Sequence, residues 1–381
     1  MAILKLAIEP FLQQAETHLV LDVRSPGEYA HAHIPGAINL PLFSDEERKV
    51  VGTAYKQQGK QEAIKTGLGF FGGRMREMVE TVENLAGKHA QKSQEDTEPF
   101  AMGDTTSVLV HCWRGGMRSA GVAWLLDLYG FKVHTLIGGY KAYRGWVRNQ
   151  FDYQYPFNII GGYTGSGKTL LLHELKKRGE AIIDLEGIAH HKGSAFGGIG
   201  EVEQPTQEMF ENRLATELYG FRKRSLLTSE DFNSINRVSS DLPESASCIY
   251  IEDESQRIGS INLPAAIWEQ LRKGPVSFLA VPFDARLNYL TEVYGSYEKN
   301  ELLNAVLRIQ KRLGGLETKN ASTFLLEGNP RGCFEILLRY YDKCYNKGLE
   351  MRNKSRVNNV LCSSIDLNFM INALTNEKTI V

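Results

Sequence analysis

Short apolar runs and amphipathic stretches alternate along the first third of the chain. The runs at residues 18–23, 106–112 and 131–136 have the length of buried strands, and residues 118–129 between the last two carry apolar side chains at helical spacing. A strand, helix, strand order predicts a parallel α/β sheet. The polar stretch 87–106, with its acidic residues, Gly and Pro, predicts a surface loop within an inserted helical and loop segment at about 43–105.

The alternation starts again at residue 157. Residues 157–161 run into a glycine-rich turn, 169–178 predict a helix closed by Gly179, and 181–184, 248–252 and 277–281 are further strand-like runs. From residue 284 the pattern is helical, and the last 25 residues show no clear pattern. We therefore expect an N-terminal parallel-sheet domain over 1–150 and a second α/β domain with a helical, basic C-terminal part over 151–350. A tail of unknown structure follows over 351–381.

Composition narrows the functional class. The 381 residues include 44 Lys and Arg against 45 Asp and Glu, so the net charge of −1 excludes a globally basic nucleic-acid binder but not a local basic face. The five cysteines form no C-x-x-C pair, which argues against a disulfide framework or a zinc site. No apolar run is long enough to cross a bilayer, and Lys5 and Glu9 interrupt the N-terminal apolar residues. We expect a reduced, cytoplasmic protein with no membrane association.

The first chemical motif is a cysteine that leaves a predicted strand and enters a glycine turn. Glycines let successive backbone N–H groups turn inward, and the helix that follows adds its partial positive charge, so the segment predicts an oxyanion site. The same field, with two arginines close by, is expected to lower the pKa of the thiol. The predicted catalytic residues are Cys112 and Arg118, and the predicted loop consists of Trp113, Arg114, Gly115, Gly116, Met117 and Ser119.

A second segment adds to this motif. Residues 21–29 (LDVRSPGEY) and 33–41 (HIPGAINLP), taken with the Cys112 loop, resemble the rhodanese-domain signature. This resemblance implies that Cys112 carries a chalcogen as a persulfide. The spacing Cys112-x5-Arg118 is one residue longer than in simple sulfurtransferases of that family. It is shared by rhodanese-fold phosphatases and matches the tyrosine-phosphatase pattern, and it suits a tetrahedral, phosphate-sized group.

The second motif, residues 162–169 (GYTGSGKT), fits G-x-x-x-x-G-K-[ST] between a predicted strand and a predicted helix. Backbone N–H groups of such a loop hold two linked phosphates, the lysine bridges them and the hydroxyl after it binds Mg²⁺. The predicted diphosphate-binding residues are Gly162, Thr164, Gly165, Ser166, Gly167, Lys168 and Thr169. For the metal we predict Thr169 with Glu252 or Asp253; Glu254, Asp184 and Glu186 are further candidates. Nothing in the loop specifies adenine.

Further segments accompany the two motifs. They include residues 47–48 and 51–57, 184–186 and 191–197, 204–207, 251–255 and 312–315. With the two motifs, they resemble the tRNA 2-selenouridine synthase family over roughly residues 20–315. The resemblance implies a rhodanese-like domain followed by a P-loop NTPase-like domain.

The resemblance also implies two consecutive reactions on wobble 2-thiouridine in tRNA. The sulfur is first geranylated from geranyl diphosphate with Mg²⁺ as cofactor, and the alkylated sulfur is then replaced by selenium from selenophosphate. It assigns Cys112 the role of taking selenium as a selenosulfide. The enzyme that makes selenophosphate is a possible transient partner.

A tRNA substrate requires local positive charge. Residues 304–356 hold eleven Lys and Arg against five Asp and Glu, and we predict tRNA contacts at Arg308, Lys311 and Arg312, with Lys319, Arg331 and Arg339 as further candidates. The aromatic and basic run at 140–146 is a candidate for stacking on an unpaired base.

Three other classes remain open from the residues alone. A rhodanese-fold phosphatase uses the thiol loop but gives the phosphate loop no task. An ATP-driven sulfurtransferase predicts ATP turnover and persulfide transfer. A nucleotide-sensing binding module predicts ATP binding without chemistry at the thiol.

Overall fold

The computed structural model describes residues 3–93, 106–227 and 248–376. The chain divides into two compact units, Met1–Asn149 and Gln150–Val381. Each unit contains a parallel sheet with helices, so the α/β class predicted for both parts is confirmed. Among the described helices, none combines the length and the apolar character needed to cross a membrane.

The first unit is built on five described strands in the order β1-β5-β4-β2-β3, and every adjacent pair is parallel. Its strands are β1 (Leu4–Leu6), β2 (Leu19–Asp22), β3 (Ile38–Asn39), β4 (Ser107–His111) and β5 (Lys132–Leu136). Its helices are α1 (Ile8–Ala15), α2 (Pro26–His31), α3 (Asp45–Gln57), α4 (Lys60–Ser93), α5 (Met117–Tyr129) and α6 (Gly139–Gln150).

The core of this unit lies against β4, the central strand. Val108, Leu109 and Val110 are fully buried, because a parallel strand with helices on both faces needs apolar side chains in both directions. The carboxyl end of β4 runs directly into Cys112, and α5 begins five residues later at Met117. The sheet therefore supports the thiol loop at its centre.

The prediction that a surface loop begins at residue 87 is wrong. Helix α4 continues to Ser93, and residues 94–105 of the predicted loop lie outside the described part. Val82 and Ala86 pack into the core beside Phe71 and Met78, so the apolar face of the helix holds its last turns in place although the exposed side is polar.

The second unit has five described strands in the order β12-β11-β6-β8-β7, all parallel, and a separate hairpin of β9 and β10. Its strands are β6 (Phe157–Gly162), β7 (Ala181–Ile183), β8 (Ile249–Glu252), β9 (Arg257–Ile258), β10 (Ile261–Asn262), β11 (Val276–Ala280) and β12 (Val357–Leu361). Its helices are α7 (Lys168–Lys177), α8 (Leu185–Ala189), α9 (Gln207–Leu227), α10 (Ala265–Lys273), α11 (Phe283–Tyr294), α12 (Lys299–Arg308), α13 (Gln310–Leu313), α14 (Gly315–Leu326), α15 (Pro330–Glu350) and α16 (Leu367–Asn376).

The last 25 residues, which show no sequence pattern, include a strand of this sheet and a helix, while 377–381 lie outside the described part. Strand β12 pairs with β11 from Val276↔Val357 to Ala280↔Leu361, and α16 packs against α7. Met370, Ile371 and Leu374 of α16 are buried in the same cluster as Leu171 and Leu172 of α7. The segment after residue 351 therefore completes the second unit.

Candidate functional site

The Cys112 side chain lies buried at the carboxyl end of β4. Its Sγ is 3.2 Å from the Ser119 Oγ, and the single Ser119 hydroxyl proton can be donated either to this sulfur or to the Gly116 carbonyl at 3.1 Å. Burial by itself raises the pKa of the Cys112 thiol, but hydrogen bonds from the Ser119 hydroxyl and from the backbone N–H groups of Ser119, Arg114 and Gly116 outweigh it. The pKa of Cys112 is therefore below the usual value of a thiol, which favours the thiolate.

The sequence predicted that inward backbone N–H groups and two arginine charges lower the pKa of Cys112; the N–H groups do so, and the Ser119 hydroxyl is a cause that the sequence did not indicate. We expected the charges of Arg114 and Arg118 to favour the thiolate, whereas the largest lowering influences are hydrogen bonds to the sulfur. Three of these donors are backbone N–H groups that converge on one point, which is the nest that binds anions in other proteins.

The loop is held from behind by the start of α6. The backbone N–H of Tyr140 donates to the Cys112 carbonyl at 2.8 Å, and that of Lys141 donates to the Trp113 carbonyl at 2.9 Å. Gly115 has φ +63°, and a Cβ there would lie 2.5 Å from the Leu136 carbonyl. The loop carbonyls thus face the protein, and only glycine fits at position 115.

Arg118 is engaged by another part of the unit. Its Nη1 donates to Glu28 Oε2 at 2.6 Å and its Nη2 donates to Oε1 at 3.4 Å. Arg48 Nε lies 3.5 Å from the same carboxylate. Glu28 belongs to the rhodanese-like segment 21–29, so the two sequence motifs of this unit meet in one ion pair. The predicted catalytic role of Arg118 stays a prediction, and the ion pair shows that Glu28 sets the position of its guanidinium.

Beneath the thiol loop lies a buried ion pair. Arg24 donates to Asp22 from Nε and Nη2 at 2.6–3.0 Å and to the Ala32 carbonyl at 2.7 Å. His111 is fully buried beside Asp22, and burial lowers its pKa to about 4, so the ring is neutral at physiological pH. Above the thiol, Trp113 and Met117 are 37% and 53% exposed, and Arg114 is also exposed. The mouth of the loop is therefore open to a large substrate.

The phosphate loop connects β6, the central strand of the second sheet, to α7. Gly165 and Gly167 both have φ +80°, which glycine adopts without strain. Lys168 is 9% exposed, and its Nζ donates to the Gly162 carbonyl at 3.1 Å and lies 5.5 Å from the centre of the Tyr345 ring. The Ser166 hydroxyl is buried and has no hydrogen-bond partner among the described residues.

The loop is fixed by an arginine that the sequence analysis missed. Arg286 in α11 donates to the Thr164 carbonyl at 3.2 Å and to the Val281 carbonyl at 3.1 Å. It also donates to both carboxylate oxygens of Asp342 in α15 at 2.8 Å. Thr164 lies 122 positions and Asp342 56 positions from Arg286, so no sequence spacing links them to it.

Acidic side chains surround Thr169. Thr169 Oγ1 donates to Glu186 Oε2 at 2.9 Å, and Glu252 Oε2 accepts from the Leu185 N–H at 2.9 Å. Burial and the neighbouring carboxylates raise the pKa of Glu252, and burial with Glu186 raises the pKa of Glu254 to about 8. Glu252 Oε1 is buried and has no partner in the part of the chain that the structure describes. Of the predicted metal residues, Thr169 and Glu252 thus lie in one acidic environment, and Glu186 contacts Thr169 directly.

Asp253 is engaged elsewhere. Its Oδ1 accepts from Arg272 Nη2 at 2.6 Å and from Arg352 Nη2 at 2.5 Å. The predicted metal role of Asp253 is corrected, because two guanidinium groups already neutralise its carboxylate. Within the described ranges, no three His, Cys, Asp or Glu side chains form a metal cage, so a cation here would need oxygens from a substrate.

These residues fit Mg²⁺. The ion prefers oxygen ligands, keeps several waters and is usually bound by one or two protein groups together with substrate phosphates. The Thr169 hydroxyl beside Glu186, with the unpartnered Glu252 Oε1 nearby, supplies such a set.

The predicted tRNA residues lie on the surface. Arg308, at the end of α12, and Lys311 and Arg312, in α13, are exposed. Arg308 Nη2 reaches the Ala195 carbonyl at 3.5 Å.

The aromatic residues of 140–146 do not fit their predicted stacking role. Tyr140, Tyr143 and Trp146 form the inward face of α6 and are at most 6% exposed. The Arg24 guanidinium covers the Tyr140 ring at 3.8 Å.

Two family models match the chain. One described as a rhodanese-like domain matches residues 9–145, and one described as a tRNA 2-selenouridine synthase AAA domain matches residues 155–365. The two matches coincide with the unit that carries Cys112 and the unit that carries Lys168.

Curated relatives match across both units. A tRNA 2-selenouridine synthase of Bdellovibrio bacteriovorus is 34% identical over 88% of this chain and 89% of its own length. The protein of the same name from a Sulfurovum species is 33% identical over 89% of this chain and 90% of that protein. That of Serratia proteamaculans is 33% identical over 88% of each. With both family models and near-complete relatives in agreement, the chain belongs to the tRNA 2-selenouridine synthase family and is an enzyme.

Proposed function

We propose that the enzyme modifies wobble 2-thiouridine of tRNA in two steps, one at each loop. The phosphate loop takes geranyl diphosphate and alkylates the sulfur. The thiol loop takes selenophosphate and replaces the alkylated sulfur with selenium. Membership of the synthase family and the presence of two separate anion-binding loops support this division.

In the first step the thiouridine sulfur forms a bond to C1 of the geranyl group, the C1–O bond breaks, and diphosphate leaves with the electron pair. The base loses its N3 proton, and its sulfur, still bound to C2, becomes a thioether that carries the geranyl group. Lys168 and the N–H groups of the loop stabilise the charge that develops on the diphosphate. Arg286 keeps the loop in shape by holding the Thr164 carbonyl.

Mg²⁺ would be held by the Thr169 hydroxyl with Glu186 or Glu252. When bound, it supplies Lewis-acid stabilisation of the leaving diphosphate. Burial first, and then the neighbouring carboxylates, raise the pKa of Glu252 and Glu254, and the positive charge of a bound Mg²⁺ would favour the ionised form of both.

The second step has to conserve electrons. Selenophosphate carries selenium as selenide, whereas a selenosulfide on Cys112 contains selenium two electrons more oxidised. A direct transfer of selenium to the Cys112 sulfur would therefore have to expel phosphite, a strong reductant, in place of phosphate. We propose instead that the Cys112 thiolate attacks phosphorus.

In this route an S–P bond forms at Cys112 and the P–Se bond breaks, which releases hydrogen selenide within the loop. The selenide attacks C2 of the geranylated base, the C2–S bond breaks, and geranylthiol leaves after taking up a proton. Water then cleaves the S–P bond to regenerate Cys112 and release phosphate. The convergent N–H groups of Arg114, Gly116 and Ser119 suit the phosphoryl oxygens as well as the thiolate.

The two routes leave different groups on Cys112. A phosphoryl adduct contains phosphorus and no selenium, and a selenosulfide shows the isotope envelope of selenium. We expect mass spectrometry of the enzyme, quenched in acid after mixing with selenophosphate alone, to show phosphorus on Cys112. A selenium envelope on the peptide would contradict the phosphorus route and support the selenosulfide.

The observation that carries the proposal is the buried, hydrogen-bonded Cys112 sulfur in a loop of inward N–H groups, because a structural cysteine needs no such stabilisation of its anion. The test is incubation with thiouridine-containing tRNA, geranyl diphosphate and selenophosphate, followed by nucleoside analysis. We expect 2-selenouridine with all reagents present and geranylthiouridine when selenophosphate is omitted. If a modified nucleoside forms only with ATP and also forms without geranyl diphosphate, the ATP-driven sulfurtransferase alternative would be supported instead.

A further inference from the structure

A cavity of about 320 Å³ lies at the amino ends of β11 and β12 in the second unit. The two strands begin side by side, at the pair Val276↔Val357, and both residues line the cavity. The phosphate loop follows the carboxyl end of β6, which is parallel to β11. The cavity is therefore at the opposite end of the sheet from the diphosphate site, roughly 16 Å away along a five-residue strand.

Four of the lining side chains are cationic: Arg272 and Lys273 at the end of α10, Arg352 just after α15, and Arg356 in the 3₁₀ turn Lys354–Arg356. Two acids approach them. Asp253 binds Arg272 and Arg352 from below, and Glu269 is 3.6 Å from Lys273 in a pair whose side chains are both more than half exposed. The exposed pair is weakened by solvent, so the cavity keeps an excess of positive charge.

These cations retain unused hydrogen-bond donors. Arg352 is 8% exposed, and its Nη groups donate to Asp253 and to the Leu271 carbonyl, but its Nε is buried without an acceptor among the described residues. The Nε of Arg272 is also buried and has no hydrogen-bond acceptor among the described residues. Arg356 donates one hydrogen bond to the Lys273 carbonyl and is otherwise open to solvent. Both Nε atoms are inaccessible to solvent, whereas the exposed Lys273 ammonium and Arg356 guanidinium are accessible donors that line the cavity and can bind an anion there.

The lining favours a backbone phosphate over a nucleotide. The described residues that line the cavity include no aromatic side chain on which a base could stack, and their apolar part is limited to Val276 and Val357. Cations from three separate elements meet at one mouth, which suits neighbouring phosphates of an extended chain.

We propose that this cavity binds phosphates of the tRNA backbone and forms an RNA contact separate from the phosphate loop of the same unit. The proposal rests on tRNA being the substrate, as argued above, and adds a contact at the end of the second unit far from the diphosphate. Lys273 and Arg356 are its accessible members, and Arg272 and Arg352 form its base.

The test uses the full chain and measures tRNA affinity as a function of salt, without geranyl diphosphate or selenophosphate. Each lost phosphate contact lowers the magnitude of the slope of log K against log salt by about 0.7–0.9. We expect the double variant Lys273→Gln, Arg356→Gln to lower it by about 1.4–1.8 and to weaken binding roughly tenfold to thirtyfold at 0.15 M salt. Lys273→Gln alone leaves Arg356 in place and should show half of the change in slope.

The matched control is the double variant Lys176→Gln, Lys177→Gln, which removes two exposed charges at the end of α7 in the same unit. It should bind tRNA like the unmodified chain. An unchanged affinity and slope in the cavity variant would overturn the proposal. So would thermal stabilisation by inorganic phosphate that is lost in the cavity variant while tRNA binding is kept, because the cavity would then be a small-anion site.

Failure of the proposed reactions would look different. If the unmodified chain makes no selenouridine, but the cavity variant lowers the salt slope of tRNA binding as expected, the RNA contact is supported and the proposed function is contradicted. If all variants make selenouridine normally and the slope is unchanged, the proposed function is supported and the RNA contact is contradicted.

Discussion

Arg118 and Glu28 form a two-point ion pair, with 2.6 Å between Nη1 and Oε2 and 3.4 Å between Nη2 and Oε1. The arginine lies in the first turn of α5, the helix after the thiol loop, and the glutamate belongs to the short helix α2 after β2. An anion that approaches Cys112 therefore meets a guanidinium whose position is set by Glu28. The pair makes Glu28 a positioning residue for the thiol loop.

Replacing Glu28 by Gln should destabilise the first unit and slow selenation. Burial raises the pKa of Glu28, but the combined effect of Arg118 and the Ser25 N–H lowers it by more. The pKa of Glu28 is therefore below its usual value. The stabilisation is therefore present above pH 4.5 and is lost as the pH falls through the lowered pKa. With both side chains 21% exposed, we expect Glu28→Gln to cost about 1–2 kcal/mol at pH 7.

The measurement is urea unfolding at neutral and acidic pH. The difference between the two proteins should shrink at the acidic end. Glu80→Gln, which breaks the exposed pair with Arg76, is the control and should change nothing measurable. An equal effect of both substitutions would contradict a special role for the Arg118 pair.

Removing the Ser119 hydroxyl should raise the pKa of Cys112. The thiolate fraction, and with it the rate of alkylation by iodoacetamide, rises as the pH passes the thiol pKa. Because Ser119 supplies the largest of the lowering hydrogen bonds, the alkylation profile of Ser119→Ala should move to higher pH. Ser119→Thr keeps a hydroxyl and should restore much of the original profile. Coincident profiles for the unmodified enzyme and Ser119→Ala would mean that another group sets the pKa.

The two glycines of the thiol loop should respond differently to alanine. A Cβ on Gly115 would lie 2.5 Å from the Leu136 carbonyl at φ +63°, whereas a Cβ on Gly116 meets nothing within 4 Å. Gly115→Ala should therefore reduce selenation of geranylated tRNA by a factor of about 100 or more, on the scale of losing one oriented donor. Gly116→Ala should stay within a few-fold of the unmodified enzyme. Similar losses in both variants would contradict the nest geometry.

Chelation of divalent cations should stop geranylation and leave selenation intact. The proposed Mg²⁺ site lies beside the phosphate loop, where the Thr169 hydroxyl contacts Glu186, and the proposed selenation step uses no metal. Glu186→Gln should raise the Mg²⁺ concentration needed for half-maximal geranylation, whereas Glu174→Gln, a half-buried acid of α7 that pairs with Lys177, should not. If geranylation persists after exhaustive chelation, the proposed role of Mg²⁺ in that step is contradicted.

The buried parallel strands could be predicted from the sequence because their apolar runs are continuous. The predicted strands at 106–112, 157–161 and 277–281 match β4, β6 and β11 to within one residue. Strand β12 could not be predicted in this way. It is an edge strand with the sequence VNNVL, and only Val360 is buried, so no apolar run marks it.

The motif residues could be located but not their partners. A local pattern indicates a loop that binds anions, whereas Glu28 with Arg118, and Arg286 with Asp342, depend on contacts between distant segments. Asp253 shows the same limit. An acid after a strand predicts a metal ligand as well as an ion pair, and only the positions of Arg272 and Arg352 decide between them.

The most direct test of the account is to separate the two steps with one variant in each loop. Lys168→Ala should lower geranylation of thiouridine tRNA by a factor of about 100 to 1,000 and should still convert pre-geranylated tRNA to 2-selenouridine. Cys112→Ser should do the opposite and accumulate geranylthiouridine. If Cys112→Ser makes 2-selenouridine at the normal rate, or if Lys168→Ala geranylates normally, the assignment of one reaction to each loop is contradicted.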